Sequence, residues 1–260
     1  MRAYLISVMW AFLGFSFIGP SPATASDPVI AIYDFFPFGR LEESGRVTGI
    51  FADLARVVEE KSGIELQLRL EPIPRAIRNV VMGHVDLIIS GSSSKAMVDT
   101  PAVGILGCHR TVVLTRKNSG ISDLASLRDK RVAYVTGGIF KKKFAGSYGE
   151  KIEEVGSSQS LFHMLFRDRI DAFFISDVVL AAYVKFGVPV ADLPEDWRTV
   201  LGPTITAETL HVTLRMSKES SFKALIPRLR RALDQCNRDG TFEAVYHAYG
   251  LQSGGRCEAK

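Results

Sequence analysis

Residues 85–90 are Val-Asp-Leu-Ile-Ile-Ser, a nearly continuous apolar run that contains one aspartate and ends in serine. The segment before it, from Pro74 to Met82, has a helical pattern and is followed by Gly83. Proline suits the first turn of a helix and glycine suits its end, so these residues mark the bounds of this helix. An uninterrupted apolar strand after a helix is typical of a parallel sheet that is buried on both faces.

A second segment repeats this arrangement. Residues 170–176, Ile-Asp-Ala-Phe-Phe-Ile-Ser, follow an amphipathic helical pattern at residues 157–167. The two segments differ by one inserted residue, and each lies in its own succession of strands and helices. Such alternation indicates an α/β fold with parallel strands. The repeat therefore predicts two lobes, each with a mainly parallel sheet flanked by helices.

The order of these elements indicates how the chain divides between the lobes. We expect residues 26–109 and 212–260 to form the first lobe and residues 110–211 to form the second. The two segments that connect the lobes would cross and act as a hinge. A cleft between two lobes is a favoured position for a small ligand.

The first 25 residues have the features of an export signal. Arg2 precedes an apolar run from Leu5 to Ile18, and Ala23-Thr24-Ala25 provides the small residues of a cleavage site. A helix over this run of 14 residues would be about 21 Å long, shorter than the ~30 Å hydrocarbon core of a bilayer. We expect cleavage after Ala25 and release of the mature chain into the periplasm. An uncleaved membrane anchor is the alternative.

Charge and motifs narrow the class of protein. Arg2 is the only charged residue of the first 25, so its removal lowers the formal net charge from +4 to +3. This small charge, spread along the chain, does not favour a nucleic acid as partner. The chain has no G-x-S-x-G motif, no phosphate-binding loop and no cysteine or histidine spacing typical of a metal site. We expect a monomer that binds a small polar molecule, with no cofactor, no metal and no enzymatic activity.

The cysteines predict one disulfide. Export places Cys108, Cys236 and Cys257 in an oxidising compartment. Cys236 and Cys257 lie near the two ends of the last helical region, so we expect a bridge between them. Cys108 would then be a free, buried thiol.

Five motifs of the mature chain share their order and spacing with one known family. They are Asp34-Phe35-Phe36-Pro37-Phe38, residues 49–55, residues 82–87, residues 121–135 and Gly137-Gly138. In this order they resemble a divergent branch of the family-3 extracellular solute-binding proteins of bacterial ABC uptake systems. The resemblance implies a two-lobed type II periplasmic binding fold whose lobes close on an amino-acid-like solute or a small organic acid or amine. It also implies an ABC permease in the inner membrane as partner.

The resemblance and the strand ends together suggest ligand-binding residues. Phe35 matches the stacking aromatic residue of the family, and Phe36 lies beside it. Ser92 and Ser93 follow the strand at 85–89 and would offer hydroxyl and backbone N–H groups. Gly138 precedes a helix whose N-terminus suits a carboxylate or a phosphate. Each has an alternative structural role, as a packing residue, part of a flexible loop or part of a tight turn.

Two positions depart from the amino acid receptors of the family. The arginine that clamps a ligand carboxylate is replaced by Val98, which disfavours an α-amino acid as ligand. The amine-binding aspartate corresponds to Ser176, so Asp177 either takes its role or caps the next helix. Arg75, within a segment that resembles the divergent branch, is expected to supply the missing charge. An exposed arginine without a ligand is the alternative.

Two other functions remain open on the same scaffold. One is a dehydratase-like periplasmic enzyme, which would need a cleft carboxylate as general acid or base. The other is a ligand-sensing input for a membrane receptor. The fold alone does not separate them from solute binding.

Overall fold

The strands and helices form an α/β structure in a computed structural model that describes residues 26–91, 100–136, 152–187, 193, 195–252 and 254–257. Its strands are β1 (Val29–Tyr33), β2 (Arg40–Leu41), β3 (Val47–Thr48), β4 (Gln67–Glu71), β5 (Leu87–Gly91), β6 (Ala102–Thr115), β7 (Val132–Val135), β8 (Ile152–Val155), β9 (Ala172–Ser176) and β10 (Ile205–Met216). Its helices are α1 (Ile50–Ser62), α2 (Ile73–Val81), α3 (Ser158–Phe166), α4 (Asp177–Phe186), α5 (Trp197–Val200), α6 (Ile226–Asp239) and α7 (Thr241–Ala248).

A mixed sheet of eight strands organises these elements, in the order β4-β1-β5-β10-β6-β9-β7-β8. β1 pairs in parallel with β4 and β5, and β7 pairs in parallel with β8 and β9. The long strands β6 and β10 lie between these groups and are antiparallel to each other. β10 also pairs with β5, and β6 also pairs with β9. The first lobe therefore contains β1, β4 and β5, the second contains β7, β8 and β9, and the two long strands join them.

The two repeated segments form strands in the interior of the sheet. All five residues of β5 are buried, and in β9 Phe173 and Phe174 are almost completely buried. Because both faces of these strands are covered, their sequences are apolar without alternation. The prediction of a mainly parallel sheet in each lobe, joined by two crossing segments, is confirmed.

The prediction of the disulfide is wrong. Cys108 is bridged to Cys257, and Cys236 is a buried free thiol. Cys236 lies on the face of α6 that packs into the core, so its thiol does not reach the C-terminal segment that carries Cys257. That segment runs instead along β6, where the N–H of Cys108 donates to the carbonyl oxygen of Gly255 at 2.6 Å. The bridge thus ties the C-terminus to a strand that joins the lobes.

The boundaries expected between the lobes fall inside the long strands, at residues 109–110 of β6 and 211–212 of β10. They remain a prediction, since β10 pairs with β5 of the first lobe, β6 pairs with β9 of the second lobe, and the two long strands pair with each other. Within the described ranges, no helix has the length and apolar character needed to cross a membrane.

Candidate functional site

The carboxyl ends of the parallel strands of the first lobe meet at one edge of the sheet. β1 ends at Tyr33, β4 at Glu71 and β5 at Gly91. The N–H of Asp34 donates to the carbonyl oxygen of Glu71 at 2.8 Å. The hydroxyl of Tyr33 donates to Oγ of Ser90 at 2.9 Å. Ligands of open α/β sheets bind at such strand ends. We call these ends, with those of β7 and β9 in the second lobe, the interlobe edge.

The aromatic loop, residues 34–38, follows β1 directly. Phe35 is half-buried and stacks on Phe38 with a distance of 6.1 Å between ring centroids. Phe36 lies against α4 of the second lobe, with its ring 6.2 Å from Tyr183 and 6.4 Å from Phe186. The loop therefore places one ring in the first lobe and one ring in a contact between the lobes.

Arg75 lies in the first turn of α2, close to the end of β4. Its side chain is exposed, whereas Ala76 and Val80 of the same helix are buried. Within the described part of the chain, its guanidinium makes no hydrogen bond or ion pair. An exposed arginine near a strand end is compatible with both roles that the sequence suggests.

Asp177 is the first residue of α4, directly after β9. Its two carboxylate oxygens accept from the backbone N–H of Arg110 at 2.9 Å and from Nε of Arg110 at 3.2 Å. The aspartate side chain is only 11% exposed. Burial raises the pKa of Asp177, while the hydrogen bonds from Arg110 oppose that rise. The N-cap of α4 is Ser176, whose Oγ accepts from the N–H of Val178 at 3.3 Å. Asp177 therefore links the second lobe to β6.

His109, on β6, is a buried polar residue of this region that the sequence did not single out. Its side chain is packed beside Phe38, with ring centroids 6.3 Å apart, and the residue is 8% exposed. Burial lowers the pKa of His109 to about 4, so the imidazole is neutral near pH 7. Its Nδ1 atom is buried and has no hydrogen-bond partner among the described residues. The only sequence signal is a histidine within an apolar strand, which does not reveal this burial.

A polar cavity of about 370 Å³ lies beside the disulfide and is lined by residues of β6, β10, α4, α7 and the C-terminal segment. Arg110 and Asp177 line one part of it, and Glu243 and Arg256 line another. Nε of Arg256 donates to the Glu243 carboxylate at 3.0 Å, and this bond holds the pKa of Glu243 below its usual range. Because these charges are paired with each other, the cavity is a weaker candidate for a charged ligand than the interlobe edge.

One group of side chains in the described ranges has the composition of a metal site. The ligand atoms of Cys108, His211 and Cys257 lie within 4.8 Å of one another. The two sulfur atoms are joined in the disulfide, however, and metals bind thiolates. This group therefore does not offer a thiolate site in the oxidised protein.

The family is decided by the extent of one match. The sequence profile of the bacterial extracellular solute-binding proteins, family 3, matches residues 29–252. The chain belongs to this family. The match includes the aromatic loop, both lobes and the two long strands, so the resemblance inferred from the five motifs is confirmed.

Several proteins are similar to this solute-binding protein in sequence or in structure. The arginine-binding extracellular protein ArtP of Bacillus subtilis (strain 168) is 26% identical over 219 residues, which cover 82% of this chain and 81% of the relative. An ancestral arginine-binding protein, solved with arginine bound, has a TM-score of 0.65 at 22% identity and covers 85% of this chain and 96% of its own. A histidine kinase sensor domain with similarity to periplasmic binding proteins has a TM-score of 0.67 at 19% identity, over 87% and 96% of the chains. The two structural likenesses establish the two-lobed fold.

The structure brings some of the predicted ligand residues to the interlobe edge. Phe35, Phe36 and Asp177 directly follow strands that end there, and Arg75 lies one turn further on. Their roles toward a ligand remain predictions. The other three predicted residues, Ser92, Ser93 and Gly138, lie outside the described residues.

Proposed function

We propose that this solute-binding protein holds a small polar solute at the interlobe edge outside the cytoplasm and delivers it to an ABC permease in the inner membrane. The family match over residues 29–252 is the observation that carries the proposal. The strand ends of the first lobe and the interlobe contact of Phe36 support it, because they give a ligand two opposing surfaces. Closure of the two lobes about the long strands β6 and β10 would then bury the solute.

The chemistry of the solute follows from what the interlobe edge offers. The relative from Bacillus subtilis is named for arginine binding. In the present chain Val98 replaces the clamping arginine, and the Asp177 carboxylate already accepts two hydrogen bonds from Arg110. We therefore propose an amino-acid-like solute or a small organic acid or amine, with Arg75 as the charged contact. Phe35 would supply a stacking surface.

The same proposal covers export and the absence of catalysis. Cleavage after Ala25 would release a periplasmic protein that begins at Ser26. The solute would leave unchanged, since the role is binding and not conversion. Mass spectrometry of the exported protein tests the first point, and product analysis after incubation with the bound solute tests the second. A chemically altered product would support the dehydratase-like alternative.

A thermal-shift screen of the mature protein against amino acids, amines and small organic acids tests the proposed function. A solute at 100 times its Kd stabilises the folded state by about 2.7 kcal/mol. Saturable stabilisation by at least one compound, confirmed by calorimetric titration, is the expected result. Failure of every compound class to bind would contradict the proposal.

Two substitutions test the proposed contacts. Phe35→Ala and Arg75→Ala should each weaken binding of the solute at least tenfold, equivalent to about 1.4 kcal/mol. Arg78→Ala, an exposed arginine one turn further along α2, is the matched control and should leave affinity unchanged. Arg75→Ala should not lower the melting temperature, because Arg75 is exposed. Unchanged affinity in Phe35→Ala and Arg75→Ala would show that both residues belong to the scaffold.

A further inference from the structure

The ring of His109 lies beside two parts of the first lobe, the end of β5 and the aromatic loop. On β6, the neighbouring stretch Thr111–Thr115 pairs with β9 of the second lobe. The ring itself packs against Gly91, the last residue of β5 in the first lobe. It also faces Phe38 of the aromatic loop, so two elements of the interlobe edge lie against the imidazole. A side chain at this point lies next to the first-lobe surface that we propose for the solute.

The hydrogen bonding of His109 is incomplete within the described part of the chain. Its Nδ1 atom is buried, and none of the residues that the structure describes accepts from it or donates to it. A buried polar atom without a partner costs free energy, so such atoms are rare in folded proteins and often mark a functional position. A phenylalanine would fill a similar volume without that cost. His109 therefore has a nitrogen atom at the interlobe edge that is available for a hydrogen bond.

We infer that Nδ1 of His109 forms a hydrogen bond with the bound solute and makes His109 a specificity-determining residue of this binding protein. The inference rests on the proposed function, since it assigns a contact within the same site. A neutral imidazole has one donor and one acceptor and adds no net charge. It therefore selects a solute with a hydroxyl, amide, amine or carboxylate group at this point.

The selectivity should be strong for analogues that lack the matching group. A site built to hydrogen-bond a polar group rejects the analogue without it, because the polar atom of the protein is then left unpaired. The apolar surfaces of Gly91 and Phe38 would not distinguish a solute that carries the polar group from an analogue that lacks it.

The test compares three variants of the mature protein, titrated with the tightest-binding compound of the thermal-shift screen, which includes L-arginine, L-histidine and L-glutamine beside amines and small organic acids. His109→Phe keeps the size of the ring but removes Nδ1, and should weaken binding at least tenfold without lowering the melting temperature of the unliganded protein. His109→Asn retains a hydrogen-bonding atom near the Nδ1 position and should recover part of the affinity. His84→Asn, which changes an exposed histidine after α2, is the control and should bind like the wild type.

The outcomes separate this inference from the proposed function. Wild-type binding with unchanged affinity in His109→Phe would overturn the inference and leave solute binding intact. Equal losses of affinity in the Phe and Asn variants would also overturn it, because the loss would then follow the ring and not the polar atom. A wild-type protein that binds no compound of the screen would overturn both.

Discussion

The imidazole of His109 occupies the space that a side chain at position 91 would need. A Cβ atom added to Gly91 would lie 2.6 Å from both Cε1 and Nε2 of His109. Such a distance is too short for two carbon or nitrogen atoms, so one of the two residues must be small. The glycine at the end of β5 therefore leaves the space that the imidazole from the middle of β6 fills.

The pair predicts a non-additive effect of mutation. Gly91→Ala should displace the imidazole and destabilise the protein by about 1–3 kcal/mol, the usual cost of overpacking. His109→Ala in the same molecule removes the clash, so the double variant should be more stable than the sum of the single effects implies. Urea denaturation of the four proteins measures the coupling. Strict additivity would show that the two residues do not share this space in solution.

The neutral state of His109 predicts how stability depends on pH. Burial lowers the pKa of His109 to about 4, whereas an unfolded histidine titrates near 6.5. Above pH 6.5 neither state binds the proton, and the full stability is present. As the pH falls, the unfolded state binds the proton first, so this residue should lower the free energy of unfolding by about 2 kcal/mol at pH 5.

His109→Phe provides the comparison, because it lacks the titrating group. Arg110 follows His109 on β6 and pairs with Asp177 at the start of α4. Burial raises the pKa of Asp177, so protonation of this carboxylate stabilises the folded state as the pH falls, opposite to the effect of His109. The variant should therefore lose less stability than the wild type between pH 7.5 and pH 5, as measured by urea denaturation. Equal losses in both proteins would mean that His109 is protonated as readily when folded as when unfolded.

The bonds between Arg110 and Asp177 predict a mainly structural effect at position 177. Asp177→Asn removes the charge that faces Nε of Arg110 and should destabilise the protein by about 1–2 kcal/mol. Affinity for the solute should change less than tenfold, because the carboxylate is already engaged. Asp171→Asn, which disrupts the more exposed pair with Arg131, is the control for loss of an aspartate charge. A tenfold loss of affinity with unchanged stability would show that Asp177 turns to the solute.

The observed disulfide predicts which cysteines matter for stability. Cys108 and Cys257 are 149 residues apart, so the bridge closes a long loop of the unfolded chain. Loss of it through Cys108→Ser or Cys257→Ser should cost about 3–5 kcal/mol. Cys236→Ala should cost less, since it removes only one buried thiol from α6. Non-reducing peptide mapping checks the pairing, and a bridge that contains Cys236 would refute it.

Sequence patterns were sufficient for features that depend on neighbouring residues. The strands near residues 85–90 and 170–176 are apolar because both of their faces are covered, and that condition is visible in the local sequence. The five motifs also sufficed for the family, because their order along the chain is itself a sequence property.

Features that depend on distant contacts were not accessible in the same way. The pairing of Cys108 with Cys257 follows from the path of the C-terminal segment along β6, which no local pattern specifies. His109 is buried because Gly91 and Phe38 pack around it from other elements. The engagement of Asp177 by Arg110 likewise joins residues 67 positions apart.

Backbone hydrogen exchange with and without the solute tests the central claim most directly. A solute held between the lobes should slow exchange at the strand ends of both lobes, at Asp34 and Gly91 in the first and at Val135 and Thr136 in the second. The amides of Glu243 and His247, which belong to the polar cavity, should change little by comparison. Protection confined to one lobe, or concentrated around Glu243 and His247, would contradict binding at the interlobe edge.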